Sequence, residues 1–252
     1  MSIKNVEIQD SNGNVYYPHT DADVVKYGDT TVGASLSERV RKSTVSITYY
    51  VNTTGSDSND GLTSGTAFKT IQKAIDSLPQ IINHTVIINV ASGTYNEILN
   101  TIGFDGRGTI DINGGTTNVN AVNYIVNQIN VKYCTIPVTI TGITANIATD
   151  HAFKFYGNNY AKLISCVSTS TASSYNGIYC GGGGTVYVNN CVTSNKVTGI
   201  VASQGAILLS DSNGGNTNTL GIASYYGATI TKNGTQPSGT TNEVTGNGGV
   251  IR

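Results

Sequence analysis

Residues 177–198 read GIYCGGGGTVYVNNCVTSNKVT, residues 199–220 read GIVASQGAILLSDSNGGNTNTL, and residues 221–232 read GIASYYGATITK. Each segment begins with Gly-Ile, so this dipeptide recurs at a constant interval, and each carries a second apolar run shortly after it. Two such short runs cannot close into a sheet of their own, so each segment must bury its apolar side chains against the next one. The repeat therefore predicts an all-β fold in which parallel strands stack as a parallel β-helix.

A similar period continues toward the N-terminus. The segment Ala161–Val167 matches the segment Val186–Val192 position by position, including a shared cysteine. Extending this phase predicts about seven turns, which at ~4.8 Å per stacked strand form a rod roughly 30 to 35 Å long. The predicted strand positions, one per turn, are Ile87, Ile110, Val138, Ala161, Val186, Ile207 and Ile230.

The four cysteines are predicted to be free thiols inside this coil. Cys166 and Cys191 occupy equivalent inward positions one turn apart, and Cys180 packs inward on a neighbouring strand. The chain has no Cys-x-x-Cys pair and no histidine at zinc spacing, so neither a metal nor another cofactor is expected. A disulfide or a bound metal is the alternative to a column of buried thiols.

A capping helix is predicted between residues 66 and 78. Its apolar residues recur at helical spacing, and Pro79 follows them. Such a helix would cover the first end of the coil, which would otherwise expose apolar side chains and unpaired strand edges. The residues that set this pattern are Phe68, Ile71, Ala74, Ile75 and Leu78.

Charge divides the chain. Eleven of the charged side chains fall within positions 1–42, and only 18 are spread over the much longer remainder. This shift predicts an N-terminal segment (1–42), an entry region with the capping helix (43–84), and the β-helix with a closing segment (85–252). In the first segment, the turn Asp10-Ser-Asn-Gly-Asn14 between Ile8 and Val15 predicts a small hairpin.

Overall charge and hydropathy exclude several classes of partner. The net charge is −1, so no general field attracts the chain to nucleic acid or to an anionic membrane. No apolar run approaches the ~20 residues that span a bilayer, and the start, MSIKNVE, has no apolar signal segment. We expect no nucleic-acid partner, no membrane insertion, and synthesis in a cytosol without a signal peptide.

The entry region and the repeats together resemble the pectate-lyase-like, right-handed β-helix superfamily, especially its phage tail-spike members. The resemblance covers residues 49 to about 235, and it implies a right-handed, single-stranded coil. It does not imply one activity, because the superfamily includes lyases, hydrolases and inert stalks. The entry residues that carry it are Tyr49–Asn52, Gly55–Gly61 and Ala67–Asp76.

Two further stretches are similar to parts of phage tail proteins. Val15–Val25 and Ser35–Val40 resemble the N-terminal attachment segment of tail and baseplate proteins from phages of Gram-positive bacteria, which implies docking of residues 1–42 to other virion tail proteins. Residues 233–251 resemble the closing segments of tail-fibre β-helices. They offer little apolar surface to cover the second end of the coil, so we expect chains to associate, and the resemblance implies a homotrimer.

Acidic residues are the candidates for catalysis. A glycan hydrolase needs two carboxylates about 5 to 9.5 Å apart on one exposed face, and a lyase needs a calcium cluster with a basic residue. The acids are scattered at nearly one per turn, and the adjacent Asp ligands with an Arg base of pectate lyases are not recognisable. The candidates are Asp105, Asp111, Asp150 and Asp211.

Two other features are interpreted as structural. Gly181–Gly184 lacks the Lys-Ser/Thr pair of a phosphate loop, which favours a turn between strands. Asp150 and His151 are neighbours in sequence, and consecutive strand residues point to opposite faces, so direct cooperation is not expected. A loop position with a solvated histidine is the preferred interpretation.

Tyrosine is more informative about function than the acidic residues are, because the chain has 15 Tyr, four Phe and no Trp. Strand alternation places Tyr179 and Tyr187 outside the coil, and Tyr175 lies just before the first of these strands. Exposed rings beside Asn, Ser and Thr suit a neutral sugar, so Tyr175, Tyr179 and Tyr187 are candidate glycan-binding residues. Packing of these rings between subunits is the alternative.

The sequence thus supports three hypotheses. The preferred one is a phage or prophage tail fibre or tail-spike component that recognises a host cell-wall or surface polysaccharide without cleaving it. The second is a polysaccharide depolymerase on the same fold, and the third is a structural spacer of the tail. All three place the chain in the virion.

Overall fold

The computed structural model describes residues 8–9, 12, 15–16, 26–27, 30–31, 41–115, 121–168 and 174–252. The chain forms two compact units, Met1–Arg41 and Lys42–Arg252. The second unit begins at Lys42 because this residue forms a parallel bridge to Ile81, and the N–H of Ser43 donates to the carbonyl of Ile81.

The described part of the N-terminal unit consists of two short antiparallel pairs. Strand β1 (Ile8–Gln9) pairs with β2 (Val15–Tyr16), and β3 (Lys26–Tyr27) pairs with β4 (Thr30–Thr31). The first pair confirms the predicted hairpin. Residues 35–40, which carry part of the resemblance to attachment segments, lie outside the described residues.

The second unit consists almost entirely of short strands. In chain order its described elements are β5 (Ile47–Val51), a 3-10 helix (Ser64–Thr66), α1 (Ile71–Asp76), β6 (Ile81–Ile82), β7 (Thr85–Val90), β8 (Gly93–Thr94), β9 (Ile98–Ile102), β10 (Asp105–Gly106), β11 (Thr109–Asn113), β12 (Tyr124–Val126), β13 (Gln128–Lys132), β14 (Val138–Thr141), β15 (Thr144–Ala145), β16 (Phe153–Ile164), β17 (Val167–Ser168), β18 (Ile178–Asn189), β19 (Val192–Thr193), β20 (Thr198–Ala202), β21 (Ile207–Asp211), β22 (Asn218–Tyr225), β23 (Thr229–Asn233), β24 (Gly239–Gly246) and β25 (Val250–Ile251).

These strands form a β-solenoid of about seven turns, as predicted. Sheet A contains β5, β7, β11, β14, the second halves of β16 and β18, β21, β23 and β25. Sheet B contains β9, β13, the first halves of β16 and β18, β20, β22 and β24, and sheet C contains β8, β12, β15, β17 and β19. We call one circuit through the sheets a rung. In sheet A from β7 onward, a residue and its partner in the next rung are 21 to 28 positions apart.

The Gly-Ile repeat sets an inward column of sheet B. Ile178, Ile200 and Ile222 are partners in consecutive rungs, and all three are fully buried. In sheet A, Val186 and Val188 are buried while Tyr187 between them is not, which confirms the predicted alternation. Full burial of an aliphatic side chain of this size contributes about 1.5 to 3 kcal/mol, so the stacked columns are the main source of stability.

All seven predicted strand positions lie in strands of sheet A, but two of them do not belong to the inward column. Ile87 and Ile207 point outward; Val86 and Leu208 are the inward partners of Ile110 and Val186. Both residues lie in continuous apolar runs, Val86–Ile88 and Ala206–Leu209, where alternation does not reveal which residues face the core. Ile207 is 47% exposed as a result.

The corners of the coil follow one backbone rule. Each described rung passes from sheet B to sheet A through a residue in the left-handed region, with φ between 50° and 72°, and in the last four rungs a glycine with positive φ follows it. Asn, Gln and even Tyr occupy this position as well as Gly, so the corner geometry is imposed by stacking. The residues in this column are Gly103, Tyr133, Gly157, Gly182, Gln204, Tyr226 and Asn247. Gly181–Gly184 therefore lies within the continuous strand β18 as it passes the corner, and is not a turn between two strands.

Buried asparagines connect consecutive rungs at the corners. Each accepts the backbone N–H of a residue 22 to 24 positions earlier and donates its amide to a carbonyl 25 to 27 positions earlier. These bonds satisfy backbone groups that the sheets leave unpaired at the bends. The three residues are Asn158, Asn213 and Asn218.

The capping helix exists but is shorter than predicted. The five predicted apolar residues are buried, yet α1 begins only at Ile71, with Thr70 as its N-cap. The preceding residues are held extended because the carboxylate of Asp57 accepts the N–H groups of Lys69 and Thr70, each at 2.9 Å. Phe68 instead forms a parallel bridge to Val51.

Helix α1 covers the first edge of sheet B. The side-chain amide of Gln72 accepts the N–H of Asn100 at 2.7 Å and donates to the carbonyl of the same residue at 3.3 Å, so it pairs with β9 as a strand would. Glu97, just before β9, accepts the N–H groups of Ile71 and Gln72 at the helix N-terminus. Burial raises the pKa of Glu97, and these N–H groups oppose that shift. Pairing protects an edge that would otherwise recruit another strand.

The end of the coil is polar in sheet B, whereas in sheet A Ile251 stacks on the buried Ile230. Glu243 stacks on Ile222 in the inward column of sheet B, Lys232 follows Ser210 in that of sheet A, and their side chains pair with each other. Inward charges of this kind discourage stacking of further strands. The association of chains through this end stays a prediction.

All four cysteines are buried and free. Cys166 and Cys191 lie one rung apart, and the N–H of Cys166 donates to the sulfur of Cys191 at 3.4 Å. Burial raises the pKa of Cys191, and the neighbouring Cys166 adds to the shift.

Within the described residues, neither helix has the length and apolar character needed to cross a membrane.

Candidate functional site

Five aromatic side chains gather on the outward side of sheet B and its corner, across three consecutive rungs. We call this set the aromatic surface. Successive members are in ring contact or lie close enough to interact electrostatically. Its members are Tyr133, His151, Tyr156, Tyr175 and Tyr179.

Glycines make room for three of these rings. A Cβ on Gly157 would lie 2.9 Å from the Tyr133 ring, one on Gly182 would lie 2.7 Å from the Tyr156 ring, and one on Gly181 would lie 2.7 Å from the Tyr179 hydroxyl. Each ring therefore lies over a glycine, in two cases one rung away and in the third on its own strand. Larger residues at these positions would force the rings off the sheet.

His151 joins the remaining rings. Its imidazole stacks on Tyr179, with centroids 4.9 Å apart and planes 8° from parallel, and Tyr175 meets it edge-on at 5.9 Å. The backbone N–H of Asn176 donates to Nδ1 of His151 at 3.0 Å, so the proton of the neutral ring is on Nε2. His151 lies in a connection before β16, as predicted, but it is half-buried rather than solvated.

Burial controls how these rings titrate. It lowers the pKa of His151 from its ordinary value of 6.5; the charge of Asp150 opposes this shift and that of Lys154 adds to it. Burial raises the pKa of Tyr179, and the nearby Tyr156 contributes in the same direction. At neutral pH the rings of His151 and Tyr179 are therefore uncharged, and the imidazole N–H of His151 is available as a hydrogen-bond donor.

Polar side chains support this surface from the side. Gln128 donates to the carboxylate of Asp150 and to the carbonyl of His151, both at 2.8 Å. Asp150 also accepts the backbone N–H of His151 at 2.7 Å and forms an ion pair with Lys154 at 3.8 Å. Burial opposes the negative charge of Asp150, but these hydrogen bonds and the Lys154 charge together lower its pKa. Asp150 therefore holds the segment that carries His151 and does not touch the imidazole nitrogens.

The three predicted glycan-binding residues divide between two faces. Tyr175 and Tyr179 belong to the aromatic surface, whereas Tyr187 lies on the outward face of sheet A. The hydroxyl of Tyr187 donates to the carboxylate of Asp211 at 3.0 Å. Tyr187 is thus engaged in a network separate from the aromatic surface.

The four candidate acids do not assemble into one site. Asp111 and Asp211 both face outward from sheet A but are four rungs apart, about 19 Å at the spacing of parallel strands. Asp150 lies beside sheet B. Asp105 lies in β10, where its carboxylate accepts the Thr135 hydroxyl and a backbone N–H. Among the described residues, no group of three or more His, Cys, Asp or Glu side chains is placed to hold a metal ion.

Asp211 is instead a structural carboxylate. It accepts the hydroxyl of Ser212 at 2.8 Å, that of Tyr187, and the side-chain amides of Asn233 and Asn189 at 3.1 and 3.2 Å. These bonds lower its pKa, with Ser212 making the largest contribution. A carboxylate that is ionised and already bound by four donors is a poor general acid.

Sequence reasoning missed Tyr133 and Tyr156 and gave His151 no binding role. A signal was present: Tyr133 precedes Gly157, and Tyr156 precedes Gly182, by close to one rung of sequence in each case. A tyrosine one period before a glycine at a corner indicates a ring lying over the next rung.

Neither a protein-family model, nor a curated protein, nor a solved structure matches this chain. The functional argument therefore depends on the aromatic surface and its polar surroundings.

Proposed function

We propose that this protein binds a bacterial surface polysaccharide through the aromatic surface, as a component of a phage or prophage tail fibre or tail spike. The observation that carries the proposal is the cluster of aromatic rings on one face of a rigid β-helix, three of them packed over glycines. Sugar rings present apolar C–H faces that pack on aromatic rings, and their hydroxyls need nearby donors and acceptors.

The local chemistry supports this choice of ligand. Nε2–H of His151 is a donor, and the Tyr156 hydroxyl is both donor and acceptor beside a half-exposed ring. The rings span three rungs, roughly 10 Å at ~4.8 Å per rung, which is about the length of two sugar units. A β-helix also resists distortion, so little conformational entropy is lost when a chain of sugars binds.

The viral setting supplies the rest of the proposal. Residues 1–42 would attach the chain to other virion tail proteins, and three chains would form the appendage. The support for this part is the sequence resemblance and the division into two compact units at residue 41. Host, glycan and trimer are proposals on that basis, as is the location in the tail.

The proposal predicts binding without cleavage. Purified protein is incubated with immobilised bacterial cell-wall and capsular polysaccharides, and both retention and released sugars are measured. We expect retention of at least one glycan and no new reducing ends or unsaturated sugars. Tyr179→Ala should abolish retention, because the ring that stacks on His151 is lost. Tyr226→Ala is the matched control, since Tyr226 occupies the same corner column as Tyr133 but lies three rungs beyond Gly157 and outside the surface.

Three outcomes would contradict this proposal. Cleavage products would show a depolymerase. Retention that survives Tyr179→Ala would place the binding site elsewhere on the molecule. If no glycan were retained, a structural spacer of the tail would be the remaining hypothesis.

A further inference from the structure

We propose that the ligand of the aromatic surface is an anionic saccharide, whose carboxylate or phosphate group is held by Lys132 and Lys154. This inference rests on the proposed function and specifies the chemical class of its ligand. It departs from the neutral sugar that tyrosine, asparagine and serine alone would suggest.

The two lysines lie inside the aromatic surface. Strand pairing makes Lys132 the direct neighbour of Tyr156 in the next rung, and Lys154 the direct neighbour of Tyr179. Lys154 and Tyr156 also point to the same side of β16, two residues apart. The two lysines therefore occupy diagonal positions on the sheet, which lie roughly 7 to 8 Å apart. A tyrosine ring lies beside each lysine.

Neither ammonium is firmly held by the protein. No carboxylate among the described residues lies within ion-pair distance of the Lys132 ammonium. Lys154 has one ion pair, with Asp150 at 3.8 Å, and both side chains are more than a quarter exposed. An exposed pair at that distance contributes little, so an incoming anion can replace it.

Asp150 does not need Lys154. Its two oxygens already accept the Gln128 amide at 2.8 Å and the His151 N–H at 2.7 Å. Lys154 can therefore turn toward a ligand without leaving a buried carboxylate unpaired. The fixed charge on this surface is then two cations and one anion that is occupied by hydrogen bonds.

The rest of the coil is arranged differently. Lys232 pairs with Glu243, and the ammonium of Lys162 lies 5.6 Å from the centre of the Tyr160 ring. Charged side chains are sparse beyond position 42, so two adjacent lysines on one face are a local concentration. A pair of ammonium groups beside aromatic rings matches a sugar that carries a carboxylate or phosphate beside its apolar face.

The test compares one saccharide with and without its charge. Binding of tetragalacturonate and of its fully methyl-esterified form is measured by calorimetry, with a glycerol phosphate oligomer as the phosphate-bearing probe. We expect at least one anionic probe to bind about 10- to 100-fold more tightly than the neutral ester. Affinity for the acid should fall as NaCl rises, and affinity for the ester should not. The stronger of the two anionic probes identifies carboxylate or phosphate as the preferred group.

Lysine variants test whether Lys132 and Lys154 cause the preference for the charged probe. Lys132→Gln and Lys154→Gln should each remove most of the preference for the charged probe, and Lys132→Arg should retain it. Lys162→Gln, which removes a lysine from sheet A, should change nothing. Thermal unfolding of each variant verifies that the fold is intact.

The results separate this inference from the proposed function. Equal binding of acid and ester, with both lost in Tyr179→Ala, would overturn the anionic ligand and leave glycan binding intact. An unchanged preference in Lys132→Gln and Lys154→Gln would also overturn it. Absence of binding to every anionic probe, while neutral polysaccharides are retained, would do the same.

Discussion

The outward faces of sheets A and B carry tyrosines on the same rungs, yet they present different surfaces. On sheet B, Tyr156 and Tyr179 lie over glycines, and both residues are partly exposed. On sheet A, the hydroxyl of Tyr187 is bound to Asp211, which is held in turn by Asn189 and Asn233 on either side. The comparison shows that residue type alone does not define a binding surface in a β-helix, because the residue one rung away decides whether a ring is accessible.

The two faces also differ in what remains unsatisfied. Sheet A has a ladder of mutually bonded polar groups and, next to it, the exposed side chains of Ile207 and Leu209. Sheet B has rings, an imidazole and two weakly held ammonium groups. This contrast supports the proposed recognition surface on sheet B, and we propose that the ladder on sheet A stabilises the coil.

The largest expected effect comes from filling the corner that joins the two faces. A Cβ on Gly184, where φ is +84°, would lie 1.6 Å from the carbonyl oxygen of Asn158 in the previous rung. Gly184→Ala should lower the free energy of unfolding by at least about 3 kcal/mol, because two backbones must separate. Gly183→Ala is the control: φ is +77° there, but nothing lies within 4 Å of the added carbon. It should cost only about 1 to 2 kcal/mol. Denaturant unfolding measures both, and equal losses would contradict the stacking at this corner.

A second substitution moves a ring without a backbone collision. A Cβ on Gly182 would meet the side chain of Tyr156, so Gly182→Ala should tilt that ring and weaken glycan binding about tenfold. Gly205→Ala has a similar φ and open space around it, so it should carry the same backbone strain without the loss of binding. Affinity for the retained polysaccharide is the measurement. Equal binding by the two variants would show that the position of the Tyr156 ring does not matter.

The sequence predicts the coil better than it predicts the surface. The Gly-Ile period is sufficient for the fold, because Ile178, Ile200 and Ile222 recur at one interval and stack directly. Phase is lost only where an apolar run is continuous, as at Ile87 and Ile207. The limit is physical: alternation reveals which side of a sheet a residue faces, and a uniform run of branched residues carries no alternation.

The aromatic surface is harder to predict because it depends on lateral neighbours. The sequence separation between partners in sheet A varies from rung to rung, so a one-residue difference in any connection changes which side chains meet. Tyr179 and Tyr187 look equivalent in sequence, each alternating with buried residues. Only the contacts with neighbouring rungs distinguish them, because Tyr179 stacks on His151 whereas Tyr187 donates to Asp211. Likewise, no local motif indicates that Lys232 and Glu243 form an ion pair at the end of the coil.

A smaller effect should follow from pH. Because burial lowers the pKa of His151 below 6.5, the unfolded chain binds the proton at a higher pH than the folded chain does. The neutral imidazole of His151 therefore makes its full contribution to the free energy of unfolding above about pH 6.5, and this contribution is lost as the pH falls below that value. Protonation of Nδ1 also removes the acceptor for Asn176 N–H, which should release Tyr175 from the surface. We expect a lower melting temperature and weaker glycan binding at pH 5 than at pH 7.

Two variants test whether His151 causes this pH dependence. The charged groups around the His151 ring are Asp150 and Lys154, and the lowered pKa of Asp150 keeps that carboxylate ionised between pH 7 and pH 5. His151→Asn should therefore remove most of the pH dependence of binding. His84→Asn, at an exposed site, should leave it in place. A dependence that persists in His151→Asn would mean that another group is responsible.

The smallest effect separates the tyrosines by function. Tyr187→Phe removes one of four donors to Asp211, and the other three remain, so the pKa of that carboxyl should rise toward its ordinary value. The melting temperature should fall far less than in Gly184→Ala, because the site is exposed and the ring still covers sheet A. Glycan binding should not change, whereas Tyr179→Ala should abolish it. NMR titration of Asp211 and calorimetry measure the two quantities. If Tyr187→Phe weakened binding, recognition would extend across both faces of the coil, and the contrast between a stabilising ladder and a binding surface would have to be abandoned.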